Sequence, residues 1–235
     1  MALKRSNTPE YRLQLPLTKK RISFTPFNMR TERTLMLATQ SGDQGEITDA
    51  VINCLNDHIK TDGIKAEKLP QCETELLLLN MRAKSVGEKS QINVKCTNCE
   101  HLNLNEVDLS TVSVDVVEPE DTVVDLGDDI FVELKYPSAY DLISLQDPES
   151  SASETLVATI VASIDGIQTE KERIDASEVS KEELQEFVES MTGQQFKSVS
   201  EWVGKIPAME KEIEFECKNC GTHNTQKLRG LVDFF

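Results

Sequence analysis

A chain of 235 residues with 38% apolar and 5% aromatic content can hold one large domain or two small ones around a mostly aliphatic core. The formal charge is −16, yet residues 1–35 carry eight Lys and Arg against two Glu, so the acidic remainder repels phosphate backbones and argues against a nucleic-acid partner. No apolar run approaches the ~18 residues of a membrane span, and no apolar stretch follows the first cations as a signal peptide requires.

The opening MALKRSNTPEYRLQLPLTKKRISFTPFN has three prolines and many cations. It predicts a basic extended arm over 1–28 that ends in a short strand at 21–25, with Ile22 and Phe24 alternating inward. A helical segment follows over 29–90. Residues 30–39 set Leu35 and Leu37 among helix formers until SGDQG breaks the run. In GEITDAVINCLNDHIK, Ile47, Val51, Cys54, Leu55, His58 and Ile59 share one stripe, which makes Cys54 a core thiol and His58 a helix-end residue. LPQCETELLLLNMRAKSVGE reads as the next helix. Pro70 stands near its start, Cys72 is an inert thiol in its first turn, LLLL is nearly all buried, and Gly87 is a left-handed cap.

Strand alternation begins in SQINVKC, where Ile92, Val94 and Cys96 point one way, and Leu102 and Leu104 are expected to resume it. The stretch after Ser110 is β-rich, and LGDD between 122–126 and 130–135 signals a hairpin. From Ser138 the pattern is helical. SAYDLISLQ is a short helix, and 154–164 an apolar one. Ser180 and Glu183 form a capping box ahead of Leu184, Phe187, Val188 and Met191; a last stripe holds Phe196, Val199, Trp202, Val203 and Ile206.

Six cysteines, four of them in two CxxC pairs, suggest metal ligation in a reducing compartment rather than disulfides. Cys96 and Cys99 make half a metal site; Cys217 and Cys220 supply the rest, because the strand–knuckle–strand grammar of 91–104 recurs at 212–228. Four thiolates satisfy tetrahedral zinc and leave no position open, so the zinc is structural. With 117 residues between Cys99 and Cys217, the ribbon module is discontinuous: 91–104 with 212–235, interrupted by a folded acidic α/β insertion over 105–211. Closing a loop of that length costs on the order of 4 kcal/mol, less than a structural zinc supplies. The fold class is α+β, with a helical N-terminal part.

Rival chemistries fit less well. A redox CxxC needs a helix N-terminus after its first cysteine, whereas both motifs here follow strands. His101 and His223 follow their knuckles at different offsets and read as surface turn residues, the alternative being that one replaces a cysteine. A zinc-ribbon nucleic-acid adaptor would use Lys218, Lys227 and Arg229, against Glu100, Glu106 and Asp108 beside the first knuckle. There is no Ser/His/Asp set, phosphate-cradling glycine loop or HExxH, and acidic pairs such as Glu118 with Glu120 or Glu182 with Glu183 are expected by chance at this composition.

Several stretches together, LPLTKKRISFTPFNMRTERTLMLA, LPQCETELLLLNMRAKSVGE running into CTNC, and CKNCG ending in LRGLVDFF, resemble the baseplate hub protein family of contractile-tailed, T-even-type bacteriophages. Phe24, Pro26, Phe27, Leu69, Pro70, Cys72, Arg82, Ala83, Lys84, Ser85, Val86, Gly87 and Glu88 stand in its pattern positions. The resemblance implies a hub component or assembly factor without enzymatic activity. Its partners would be other tail baseplate or hub proteins, met in the host cytoplasm during assembly and in the virion tail baseplate. A basic arm on an acidic body suits such association. Phe234 and Phe235 either enter a partner pocket or pack on the chain's own core.

Overall fold

At the N-terminus the cations of RLQLPLTKKRISF lie on a hairpin. β1 (Tyr11–Gln14) pairs antiparallel with β2 (Arg21–Phe24), so the arm acquires a strand where only extended chain was expected. Ile22 and Phe24 are buried as the alternation predicts. The computed structural model describes residues 8–114, 116, 122–143, 151–230 and 234. Lys4, Arg5, Glu118, Glu120, residues 144–146 and Phe235 lie outside them.

The chain divides into two units, Met1–Val116 with Ala208–Phe235, and Val117–Pro207. In the first, α1 (Met29–Ser41) starts at Asn28, whose side-chain oxygen accepts from the amides of Arg30 and Thr31. α2 (Gln44–His58) is capped by Asp43, and α3 (Gln71–Val86) begins after Pro70. Such caps are each worth about 1 kcal/mol. One core gathers Leu15, Ile22, Phe24, Leu55, Leu77 and Met81 beneath the N-terminal hairpin. Gly87 ends α3 at φ 130°, ψ 156°, a positive-φ extended conformation rather than the expected left-handed one.

Three polar contacts tie this hairpin and the segment after it to the helices. Glu73, with 0% exposure, accepts from the amides of Leu17 and Thr18 at 2.7 and 2.8 Å and from the Thr18 hydroxyl at 2.9 Å. His58 sits with Nδ1 3.1 Å from Thr25 Oγ1 and Nε2 2.8 Å from Thr31 Oγ1. The Phe27 amide donates to Ser85 Oγ at 2.6 Å, and that hydroxyl donates to the Met81 carbonyl. The FTPF and RAKSVGE stretches of the resemblance therefore meet in space.

β3 (Lys89–Lys95) pairs antiparallel with β4 (Leu102–Asp108). A short 3-10 turn at Leu109–Thr111 leads to β5 (Ser113–Val114). A second core beneath these strands contains Leu79, Ile92, Val94, Val107, Leu109, Met209, Leu228 and Phe234. Phe234 thus packs on the chain's own core. Leu102 and Leu104 do not point inward: they are 55% and 47% exposed, and Asn103 and Val107 take the buried positions. Register explains the reversal. Asn103 is opposite Val94 and Val107 opposite Ser90, and cross-strand partners share a face.

The second unit opens with β6 (Val123–Gly127) and β7 (Ile130–Leu134). Their turn puts Asp128 and Asp129 at φ 52° and 57°, the two positive values a twisted hairpin favours. α4 (Ala139–Ile143) and α5 (Ala152–Ser163) follow. The apolar helix stops at Ser163, because Ile164 opens β8 (Ile164–Gln168), which pairs with β7 on one side and β9 (Arg173–Asp175) on the other. This second hairpin is absent from the sequence reading. α6 (Lys181–Glu189) carries the expected Ser180–Glu183 capping box, and α7 (Gly193–Val203) a Thr192–Gln195 one. Their apolar faces, with Leu184, Val188, Val199 and Trp202, cover a core built on Val132, Leu134 and Ile160.

The chain re-enters the first unit beside its exit. β10 (Met209–Glu216) pairs with β5 through Met209 opposite Val114, and with β11 (His223–Arg229) along its length. β4 runs past residue 105 to Asp108, and β10 begins at Met209 inside the span first given to the insertion.

Candidate metal centre

The tip of each hairpin is the same object. In CTNCEHLN and CKNCGTHN the pattern C-x-N-C-x-x-x-N repeats at an offset of 121 residues. The Cys96 amide donates to the His101 carbonyl and the Glu100 amide to the Cys96 carbonyl; the Cys217 amide donates to Thr222 and the Gly221 amide to Cys217. Both turns need a left-handed residue at the same place, Glu100 at φ 57° and Gly221 at φ 70°. Glycine takes that conformation freely, whereas glutamate does so at a cost of about 1 kcal/mol.

The two tips face each other. Cys96 Sγ lies 3.7 Å from Cys220 Sγ, Cys99 Sγ lies 3.6 Å from Cys217 Sγ, and all four sulfurs fall within 4.8 Å of one another. Four sulfurs at ~2.3 Å from a tetrahedral ion stand about 3.8 Å apart, so the cluster fits one metal. It does not fit a disulfide, whose bond is ~2.05 Å, and all six cysteines are free thiols. Cys96 and Cys217 are buried, Cys99 half-buried and Cys220 exposed.

Hydrogen bonding with Thr222, first its side chain and then its backbone, and with Cys99 pulls the Cys220 thiol down to about 5. Cys99 is held up at about 11: the His101 backbone and the Asn219 side chain pull it down, while Cys220, burial and Cys217 push it up. Neighbouring thiols resist ionising together unless a cation joins them.

The two tips are tied by side chains the sequence reading passed over. Asn103 and Asn224 are 2% and 3% exposed. The Asn103 carbonyl accepts from the Lys218 amide at 2.9 Å, and its amide donates to the His101 carbonyl at 2.9 Å and to Cys217 Sγ at 3.6 Å. Asn224 mirrors it, accepting from the Thr97 amide at 2.9 Å and donating to Thr222 at 2.8 Å and Cys96 Sγ at 3.6 Å. Every donor and acceptor of both amides is used, which fixes their orientation. The signal that could have found them is the matched asparagine four residues after each second cysteine.

Other candidates resolve differently. His101 and His223 are exposed and outside the four-thiol group. Cys54 and Cys72 are buried; burial first, then nearby acids, raises both, Cys72 to about 12. Lys227 and Arg229 lie 3.5 and 3.4 Å from Glu210 carboxylate oxygens and opposite Glu212 and Glu210 in the sheet, so carboxylates neighbour both cations. Glu183 is occupied by its capping box. No helix among the described residues is long and apolar enough to cross a membrane.

Comparisons with known proteins bear on the whole chain. The model of the family described as T4 bacteriophage base plate protein matches residues 8–235. The baseplate hub assembly protein gp26 of Enterobacteria phage T4 is 26% identical over 228 residues, covering 96% of this chain and 98% of that protein. No solved structure matches.

Proposed function

The chain belongs to the T4 bacteriophage base plate protein family, and we propose that it is a non-enzymatic structural or assembly protein of a phage tail baseplate hub. It acts through contacts with other baseplate or hub proteins, in the host cytoplasm during assembly and in the virion tail baseplate. The observation that carries this reading is the nearly full-length match to a hub assembly protein. Co-expression of the tagged chain with the hub proteins of its own phage tests it: a stable complex is expected, and recovery of the chain alone overturns it.

We further propose that Cys96, Cys99, Cys217 and Cys220 hold one structural zinc, making β3–β4 and β10–β11 a discontinuous zinc ribbon with a folded insertion. The four-sulfur cluster supports this. When bound, zinc supplies a closed tetrahedral cross-link and no open coordination position. The pairing of Val114 with Met209 brings the insertion's two ends together, so the metal need not bear the whole cost of closing the excursion.

A further inference from the structure

Resting on the zinc reading above, we propose that Asn98, Asn103, Asn219 and Asn224 form a positioning shell for the four sulfurs. Each side-chain amide donates to a thiolate on the opposite hairpin, and together they govern how tightly the metal is retained.

Each sulfur receives one of the four amides. Asn103 reaches Cys217 and Asn224 reaches Cys96, both at 3.6 Å; Asn219 reaches Cys99 at 3.6 Å and Asn98 reaches Cys220 at 3.8 Å. All four contacts cross between knuckles, over 114 to 128 residues of sequence. Four thiolates around a divalent ion leave two net negative charges, at a place where Cys96 and Cys217 are 1% and 2% exposed. Buried negative charge is costly without donors, and N–H groups aimed at sulfur supply them.

Turn-building alone accounts for only part of this geometry. The Asn103 and Asn224 carbonyls serve backbone amides, so those residues have a structural duty as well. Asn98 and Asn219 are exposed, yet both place their amide at a sulfur on the other hairpin, Asn98 donating also to Thr222 Oγ1 at 3.3 Å and Asn219 to Cys99 alone among the described contacts. Repetition of this feature in two independently encoded turns ties it to the thiolates.

The test uses the full chain loaded with cobalt(II) or zinc. Asn103→Leu, Asn224→Leu and Asn103→Asp are compared with the milder Asn98→Ala and Asn219→Ala. Loss of these second-layer partners is expected to weaken metal retention against a chelator about 10- to 100-fold at the buried pair and less at the exposed pair. The sulfur-to-cobalt charge-transfer band should move to lower energy while the tetrahedral d–d bands persist. Asn103→Asp keeps an acceptor for the Lys218 amide but offers no N–H in its ionised form, so wild-type behaviour there would assign the residue to turn-building and overturn the proposal. Unchanged bands and release rates in Asn98→Ala and Asn219→Ala, which should fold whatever their role, also overturn it. Wild-type protein that takes up no metal defeats the zinc reading itself, a result separable from any variant effect.

Discussion

The two units are stabilised by different means. Among the described residues, seven of the eight buried polar side chains belong to the first: Thr31, Thr48, His58, Glu73, Thr74, Asn103 and Asn224, against Ser163 alone in the second. Their partners are often distant in sequence, as with Glu73 and Leu17 or Asn103 and Lys218. The second unit has one apolar core and helices started by local capping boxes. Charge divides in the opposite sense. Residues 117–207 hold 21 Asp and Glu against 6 Lys and Arg, a net −15, while the rest of the chain holds 20 against 19. The near-neutral unit depends on specific, long-range polar contacts, whereas the acidic unit keeps its described carboxylates out of the core and packs like an ordinary small domain. Removing a single polar group should therefore be costly in the first unit and cheap over most of the second.

The largest expected effect is at the metal centre. Cys217→Ser should release the metal and open the β3–β4 and β10–β11 hairpins to hydrogen exchange, leaving amides of β7 and α7 protected. Simultaneous loss of protection in both units would break the distinction between them. Trp202→Ala probes the other side. It empties a buried site where the indole stacks on Tyr136 at 5.6 Å, and should cost about 3–5 kcal/mol in urea unfolding with metal content unchanged. Next comes Glu73→Ala, which leaves the half-buried amides of Leu17 and Thr18 without their acceptor; about 2 kcal/mol is expected, seen as exposure of the N-terminal hairpin.

A smaller effect follows from pH. Burial, more than the nearby Lys60, lowers the His58 pKa below its ordinary 6.5. The unfolded chain then takes up the proton first, so this contribution to stability is complete above pH 6.5 and is lost as pH falls through that value toward the folded pKa. Urea midpoints of the first unit should decline across that window. His58→Gln, which can still bond to Thr25 or Thr31, should flatten the decline, and an unchanged slope would remove His58 as its source.

What the sequence shows directly is what local physics determines. Alternation places Ile22 and Phe24 inside, Ser180 with Glu183 marks a helix start, and LGDD marks a turn. The four cysteines are legible as a set because two knuckles share one grammar, though only coordinates bring them within 4.8 Å. The failures have physical causes. The phase of β4 is set by its pairing with β3, so Leu102 and Leu104 fall on the exposed side despite their hydrophobicity. β8 and β9 are five and three residues long, and owe their conformation to pairing, β8 with β7 and β9 with β8. Asn103 and Asn224 are polar residues in a core, tolerated because partners more than 110 residues away complete their hydrogen bonds.

X-ray absorption at the zinc edge of the purified, reduced full chain addresses the central claim most directly. One zinc per chain with four sulfur neighbours at about 2.3 Å is the predicted result, since only cysteines from both hairpins together can supply that shell. Protein without zinc, or zinc with fewer than four sulfurs and oxygen or nitrogen making up the shell, would contradict the view that a single ion joins the two hairpins.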